Sequence, residues 1–131
     1  RVKGIQVMND NGSYLISAYA KRWITDTPRM RERILKILSV WSSTSNSSPV
    51  EGLVRALTDF QSSAKDMSIY VLGDDYSGND FDMVIETVRK LNTSGARINA
   101  INFINPSALT DRFSVLMREI TYQNNGTLIT M

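Results

Sequence analysis

The chain has 131 residues, 42% of them apolar and 21% charged, which is enough for one domain with its own core and lies outside disordered, collagen-like or disulfide-scaffold compositions. Fifteen Lys and Arg against thirteen Asp and Glu leave a net charge of +2, too little for the electrostatic footprint of a nucleic-acid binder, so no nucleic-acid partner is expected. With neither Cys nor His, disulfide frameworks, zinc fingers, zinc hydrolases, haem ligation by His and the Cys-His and Ser-His-Asp nucleophile systems are excluded.

In chain order, Gly4–Met8 and Ser13–Ser17 are two β-prone runs joined by Asn9-Asp10-Asn11-Gly12, whose Asn-Gly supplies positive-φ positions, so an antiparallel hairpin is expected. Thr27 and Pro28 open a helix with Met30, Ile34, Ile37, Leu38 and Trp41 on one apolar face and Arg29, Arg31, Arg33 and Lys36 on its solvated positions. Ser42–Ser48 is a hydroxyl-rich surface loop. Ser48-Pro49-Val50-Glu51 has the form of a capping box and starts a second helix carrying Leu53, Val54, Leu57 and Phe60. Met67–Leu72 reads as a buried strand and Gly73–Asp80 as the loop leaving its C-terminal end. A third helix carries Phe81, Val84, Ile85, Val88 and Leu91. A strand follows at Arg97–Phe103, then a fourth helix with Phe113, Leu116, Met117 and Ile120 that stops at Asn125-Gly126, and a last strand at Thr127–Met131.

Strands alternating with helices imply parallel pairing and right-handed crossovers, and so an α/β fold with a doubly wound, mostly parallel sheet between two helical layers and an antiparallel hairpin at one edge. Ligands of such sheets bind beyond the carboxyl ends of the strands, which selects Ser42–Ser48, Gly73–Asp80 and Asn102–Pro106. Two groups on that rim carry hard oxygen donors. Asp74 and Asp75 follow a strand, and Ser47 and Ser48 precede a helix; this chemistry suits Mg²⁺, with capping and loop chemistry as the alternative explanation of the same residues. No apolar run approaches the roughly 20 residues of a membrane-spanning helix, so no membrane span is expected. Arg1 is preceded by neither an initiator Met nor a signal-type region, which reads as a piece of a longer polypeptide, and the absence of Cys favours a reducing compartment such as a bacterial cytoplasm.

The whole chain, read as a single domain over residues 1–131, resembles a von Willebrand factor A-type domain, particularly the bacterial members. Gly4–Leu15 is similar to that family's second and third strands with their hairpin, Asn46–Leu53 to its metal-binding threonine loop with Ser48 at the threonine position, and Ile69–Asp74 to the strand that delivers its metal-site aspartate, matched by Asp74. Arg97–Phe103 and Glu119–Thr127 resemble the penultimate strand and the final helix-to-strand step. The family's Asp-x-Ser-x-Ser motif, with its first strand and first helix, is missing, and Asp74-Asp75 stands where Asp-Gly is usual. The resemblance implies a binding module and not an enzyme. A metal-ion-dependent adhesion site would hold Mg²⁺, Mn²⁺ or Ca²⁺ through Ser48 and Asp74, with Ser47 and Asp75 around it, and an acidic side chain of a protein partner would complete the coordination. It also implies that a missing N-terminal segment or a second chain copy fills the sheet.

Other classes fit less well. A receiver-type phosphotransfer domain needs a Lys before its late Pro, where this chain has Asn105 before Pro106, and an acidic pair that is missing. A dinucleotide site lacks the glycine spacing, since Gly73-Asp74-Asp75-Tyr76-Ser77-Gly78 would aim two carboxylates at a pyrophosphate. Asp74 and Asp75 are adjacent and cannot project the same way for Asp-x-Asp phosphatase chemistry. A structural or interaction module without metal is the remaining alternative.

Overall fold

A computed structural model describes residues 1–108 and 110–131. The described elements run β1 (Gly4–Ile5), β2 (Ile24–Thr25), α1 (Pro28–Val40), α2 (Val50–Phe60), β3 (Ser68–Gly73), α3 (Phe81–Leu91), β4 (Arg97–Asn102), α4 (Arg112–Gln123) and β5 (Leu128–Thr130). The fold is mixed α/β, with β1 and β2 forming a small antiparallel pair and β3, β4 and β5 a parallel sheet in that order.

Helix ends follow local chemistry. The Thr27 hydroxyl accepts the Met30 N–H at 3.1 Å with Pro28 opening α1, and the Asp80 carboxylate accepts the Met83 N–H at 2.9 Å to open α3. α4 ends where Asn125 turns left-handed (φ 56°) and the Gly126 N–H reaches back to the Thr121 carbonyl at 2.8 Å. Gly126 is obligatory for a different reason: a Cβ there would lie 1.6 Å from the Ile98 carbonyl oxygen. Beneath this junction a buried amide network replaces regular bonds. Asn92 Nδ2 donates to the Ala96 carbonyl and to Asn124 Oδ1, and Asn124 Nδ2 donates to the Ile120 carbonyl.

The main core lies between helices and one face of the sheet. Leu53 and Leu57 of α2, Val84 and Val88 of α3, and Phe113, Leu116, Met117 and Ile120 of α4 enclose Ile98 and Ala100, with Ile69, Val71 and Leu128 packed against them. Because successive strand residues point to opposite faces, the sheet residues named all belong to one side. On the other side Tyr70 is 64% and Leu72 60% exposed. The strand expected to be buried is therefore buried on one face only.

The N-terminal third departs further from expectation. The Asn9–Gly12 turn forms, with Gly12 at φ 83°, an isolated antiparallel bridge between Met8 and Tyr14, and the Leu15 N–H on the Val7 carbonyl at 2.9 Å. No sustained hairpin follows. Ser17–Tyr19 is a 3₁₀ turn, and β1 pairs with β2 instead, Gly4 opposite Thr25 and Ile5 opposite Ile24. Gln6 supplies the cause: its Nε2 donates to the Tyr19 and Arg22 carbonyls at 3.0 and 2.8 Å, and its Oε1 accepts the Val7 N–H, so a side-chain amide holds the returning chain where a strand ladder would otherwise run. Leu15, Ile16, Ile24 and Ile34 form a second small core, with Met30, Ile37 and Trp41 against it. Phe60 links this unit to α2, its ring 4.7 Å from Trp23 and 6.1 Å from Tyr14.

Gly126→Ala is expected to lower stability by about 2–3 kcal/mol, since backbone at the α4–β4 junction must move to admit the methyl group; chemical denaturation checks this, and an unchanged midpoint would show that the close approach is not maintained. Asp26 is gripped by the Arg31 guanidinium at 2.6 and 2.7 Å, and that hydrogen bonding holds its carboxyl below its ordinary pKa. The stability it contributes is present above the ordinary carboxylate range and lost as pH falls through the depressed folded value. Asp26→Asn should thus lower Tm slightly at pH 7, with the difference between the two proteins closing in acid.

Candidate functional site

Three loops converge at one end of α2. The Asn9–Gly12 turn is fixed there by the Gly52 N–H on the Asp10 carbonyl at 2.9 Å, by Asn11 Nδ2 on the Thr44 carbonyl at 2.7 Å and by the Ser45 hydroxyl on the Asp10 carboxylate. The Gly73–Asp80 loop joins the serine loop through Ser77, whose N–H donates to the Ser47 carbonyl at 2.8 Å and whose hydroxyl donates to the Asn46 carbonyl at 2.7 Å. The two segments singled out in the sequence, far apart along the chain, are thereby neighbours.

Within the serine loop, Ser47 adopts φ 54°, and Ser48 lies one residue before the N-cap of α2, which is Pro49 and makes no side-chain capping bond, so the expected capping box does not form. Ser48 Oγ accepts the Val50 N–H at 3.4 Å, and the Ser48 N–H goes to Asn46 Oδ1 at 3.1 Å. The Ser48 backbone donor is thus taken by Asn46, where a complete capping box would use Glu51. The bond at Oγ is long, leaving a hydroxyl lone pair available to a hard cation.

The acidic loop is anchored from below. Tyr76 is buried, its ring edge-on to Phe81 at 5.1 Å, and burial pushes its phenol pKa up. Arg112 at the start of α4 donates Nε to the Tyr76 carbonyl at 3.0 Å and Nη2 to the Gly78 carbonyl, while its guanidinium lies 5.0 Å from the Phe81 ring centre. Asp75 folds back so that Oδ1 accepts the Tyr76 N–H at 2.7 Å. Asp74 is exposed and borders a groove of about 390 Å³ at the C-terminal ends of the strands, lined also by Asn102, Phe103, Asn105 and Asp111. Asn102 is buried and donates Nδ2 to Asp111 Oδ1 at 3.3 Å. Ser48 does not line the described groove.

For a divalent cation the donor type fits: Ser48 supplies a hydroxyl oxygen and Asp74 a carboxylate. The donor number is small. Among the described residues no group of three or more acidic side chains is gathered to hold a metal ion, so water and an external ligand would have to supply most of an octahedral shell. Ser77, Tyr76 and Arg112, which hold these loops, were not singled out from the sequence. Ser77 sat within a loop that was, but a hydroxyl bond to a distant carbonyl leaves no local pattern, and Arg112 lay in a helix read only for its apolar face. No helix among the described residues is long and apolar enough to cross a membrane. No family model matches the chain, and no curated protein matches it.

Ser77→Ala removes the hydroxyl bond to Asn46 while keeping the N–H bond to Ser47. It is expected to cost about 1 kcal/mol and to speed amide exchange across residues 44–50, measured by mass spectrometry, with the β4 amides unchanged.

Proposed function

We propose that the chain is a von Willebrand factor A-type protein-binding module that contacts its partner through a divalent cation at the C-terminal rim of the parallel sheet. The observation that carries this reading is the pair of Ser77 hydrogen bonds, which join the loop of Ser47 and Ser48 to the loop of Asp74 and Asp75. Ser48 and Asp74 would hold Mg²⁺, Mn²⁺ or Ca²⁺ directly, with Ser47 and Asp75 orienting bound water. A cation with so few fixed anionic ligands stays electrophilic, so an acidic side chain from a protein partner gains charge-assisted coordination by completing the shell. Recognition of this kind breaks no bond, and the reading assigns no catalysis. It also calls for a strand beside β3 and a covering layer over the open face, giving three layers; a segment N-terminal to Arg1 or a second chain copy would provide them.

One observation favours a second reading, a purely structural or interaction module: Ser48 Oγ already accepts the N–H of Val50, the first residue of α2, a local turn bond that needs no metal. A single experiment separates the two. Mn²⁺ titrated into the chain while Tm is followed should raise Tm in proportion to occupancy, by mass action worth about 2.7 kcal/mol at a hundredfold excess over Kd. The shift should vanish in Asp74→Ala and shrink in Ser48→Ala. No shift at millimolar Mn²⁺, or one untouched by Asp74→Ala, would remove the metal site and leave the structural reading.

A further inference from the structure

The register of the parallel sheet lines up an apolar surface on the side away from the helices. Leu72 pairs with Ile101 and Ile101 with Ile129, forming one row across all three strands; Tyr70 lies beside Asn99 in the next. The Phe103 N–H on the Gly73 carbonyl and the Ile104 N–H on the Met131 carbonyl continue the sheet at its upper end, adding Phe103 and Met131 on the same side. Ile129 is 53% and Met131 68% exposed, beside the exposed Tyr70 and Leu72. With about 150–200 Å² on each fully exposed large apolar side chain, the exposures of Tyr70, Leu72, Phe103, Ile129 and Met131 amount to roughly 430–580 Å². That is at the upper limit of what a monomer leaves open and most of the roughly 800 Å² that each partner contributes to a stable complex.

We infer that this face is covered by a second copy of the chain, packed sheet against sheet about a two-fold axis with the strands of the two copies running in opposite directions. Self-pairing is favoured because the surface is its own complement: apolar and nearly uncharged. Arg97, at the N-terminal corner of β4, is the one charged side chain on this face of β3–β5. Opposed strand directions separate the two Arg97 residues and set each over the C-terminal rim of the partner, where the carboxylate of Asp74 is exposed; parallel directions would stack arginine on arginine. Leu35, Leu38 and Val40 of α1 are also exposed, but Arg31, Arg33, Lys36 and Ser39 interrupt them, so they form no comparable surface. This inference goes beyond the cation-binding reading and does not depend on it.

Sedimentation equilibrium of the 131-residue chain tests it. The expected result is a discrete dimer at tens of micromolar, converted to monomer by Leu72→Arg and by Ile129→Arg with far-UV circular dichroism unchanged. Ile129 lies on the strand farthest from the free edge of β3, so a dimer lost in Leu72→Arg and kept in Ile129→Arg would mean edge-to-edge strand pairing and would overturn the inference. Arg97→Glu, an exposed change that leaves the apolar core untouched, should weaken the dimer at least tenfold, and Leu35→Arg should leave it intact. A monomeric chain, open-ended aggregation, or a dimer indifferent to Leu72→Arg, Ile129→Arg and Arg97→Glu alike would each refute it.

Discussion

A parallel sheet has to bury both faces, and in this chain the helices reach only one. The cause is handedness. The crossovers β3–α3–β4 and β4–α4–β5 step in the same lateral direction, so right-handed connections lay α3 and α4 on the same side. α2 shares that helical layer through Leu53 and Leu57. α1 cannot compensate, because it packs into the small core of Leu15, Ile16 and Ile24, and that unit leans on α2 through Trp23, Tyr14 and Phe60. The buried apolar residues of the N-terminal third gather in that small core and none belongs to the core beneath the sheet.

The same topology creates the rim. Parallel strands deliver all their C-terminal ends to one edge, so the loops after β3 and β4 meet there without any residue being chosen for the purpose. Chain-specific chemistry adds fixation. Arg112 holds two carbonyls of the acidic loop from the first turn of the next helix but one, and Tyr76 acts as an apolar plug beneath the carboxylates. Asp74 consequently stands on a constrained backbone beside a groove, while Asp75 satisfies its neighbour's N–H. Two adjacent carboxylates of the same type therefore play different parts, one spent on the loop and one left facing outward.

What could be read from the sequence divides along the range of the interactions. α1 and the end of α4 were legible because Thr27-Pro28 and Asn125-Gly126 act within one turn of themselves, and α3 because Val84, Ile85 and Val88 carry its period. The parallel core was legible because Ile98, Ala100, Val84 and Val88 carry their periods in the chain. The hairpin was not, since Gln6 settles it by binding carbonyls thirteen and sixteen residues away. At the candidate site, Ser48 and Asp74 were found as residue types at rim positions; that their loops touch through Ser77 is a long-range fact with no local signature.

The expectation of a fully buried β3 is instructive for what it rested on. An unbroken apolar run such as Ile69-Tyr70-Val71-Leu72 is the pattern of a strand covered on both sides, whereas a strand with one wet face alternates apolar and polar. β5 and its flank show the same feature, with Leu128 facing the helices and Ile129 and Met131 facing outward. β4 differs at Asn99, but even there the side chain is engaged within the sheet, its Oδ1 accepting the Thr127 N–H at 3.1 Å. Solvent does not require Tyr70, Leu72, Ile129 and Met131 to be apolar, and the helical layer does not touch their side of the sheet. Their chemistry is therefore that of an interior surface, and a covering layer, whichever chain contributes it, belongs to the folded state for which these strands are suited.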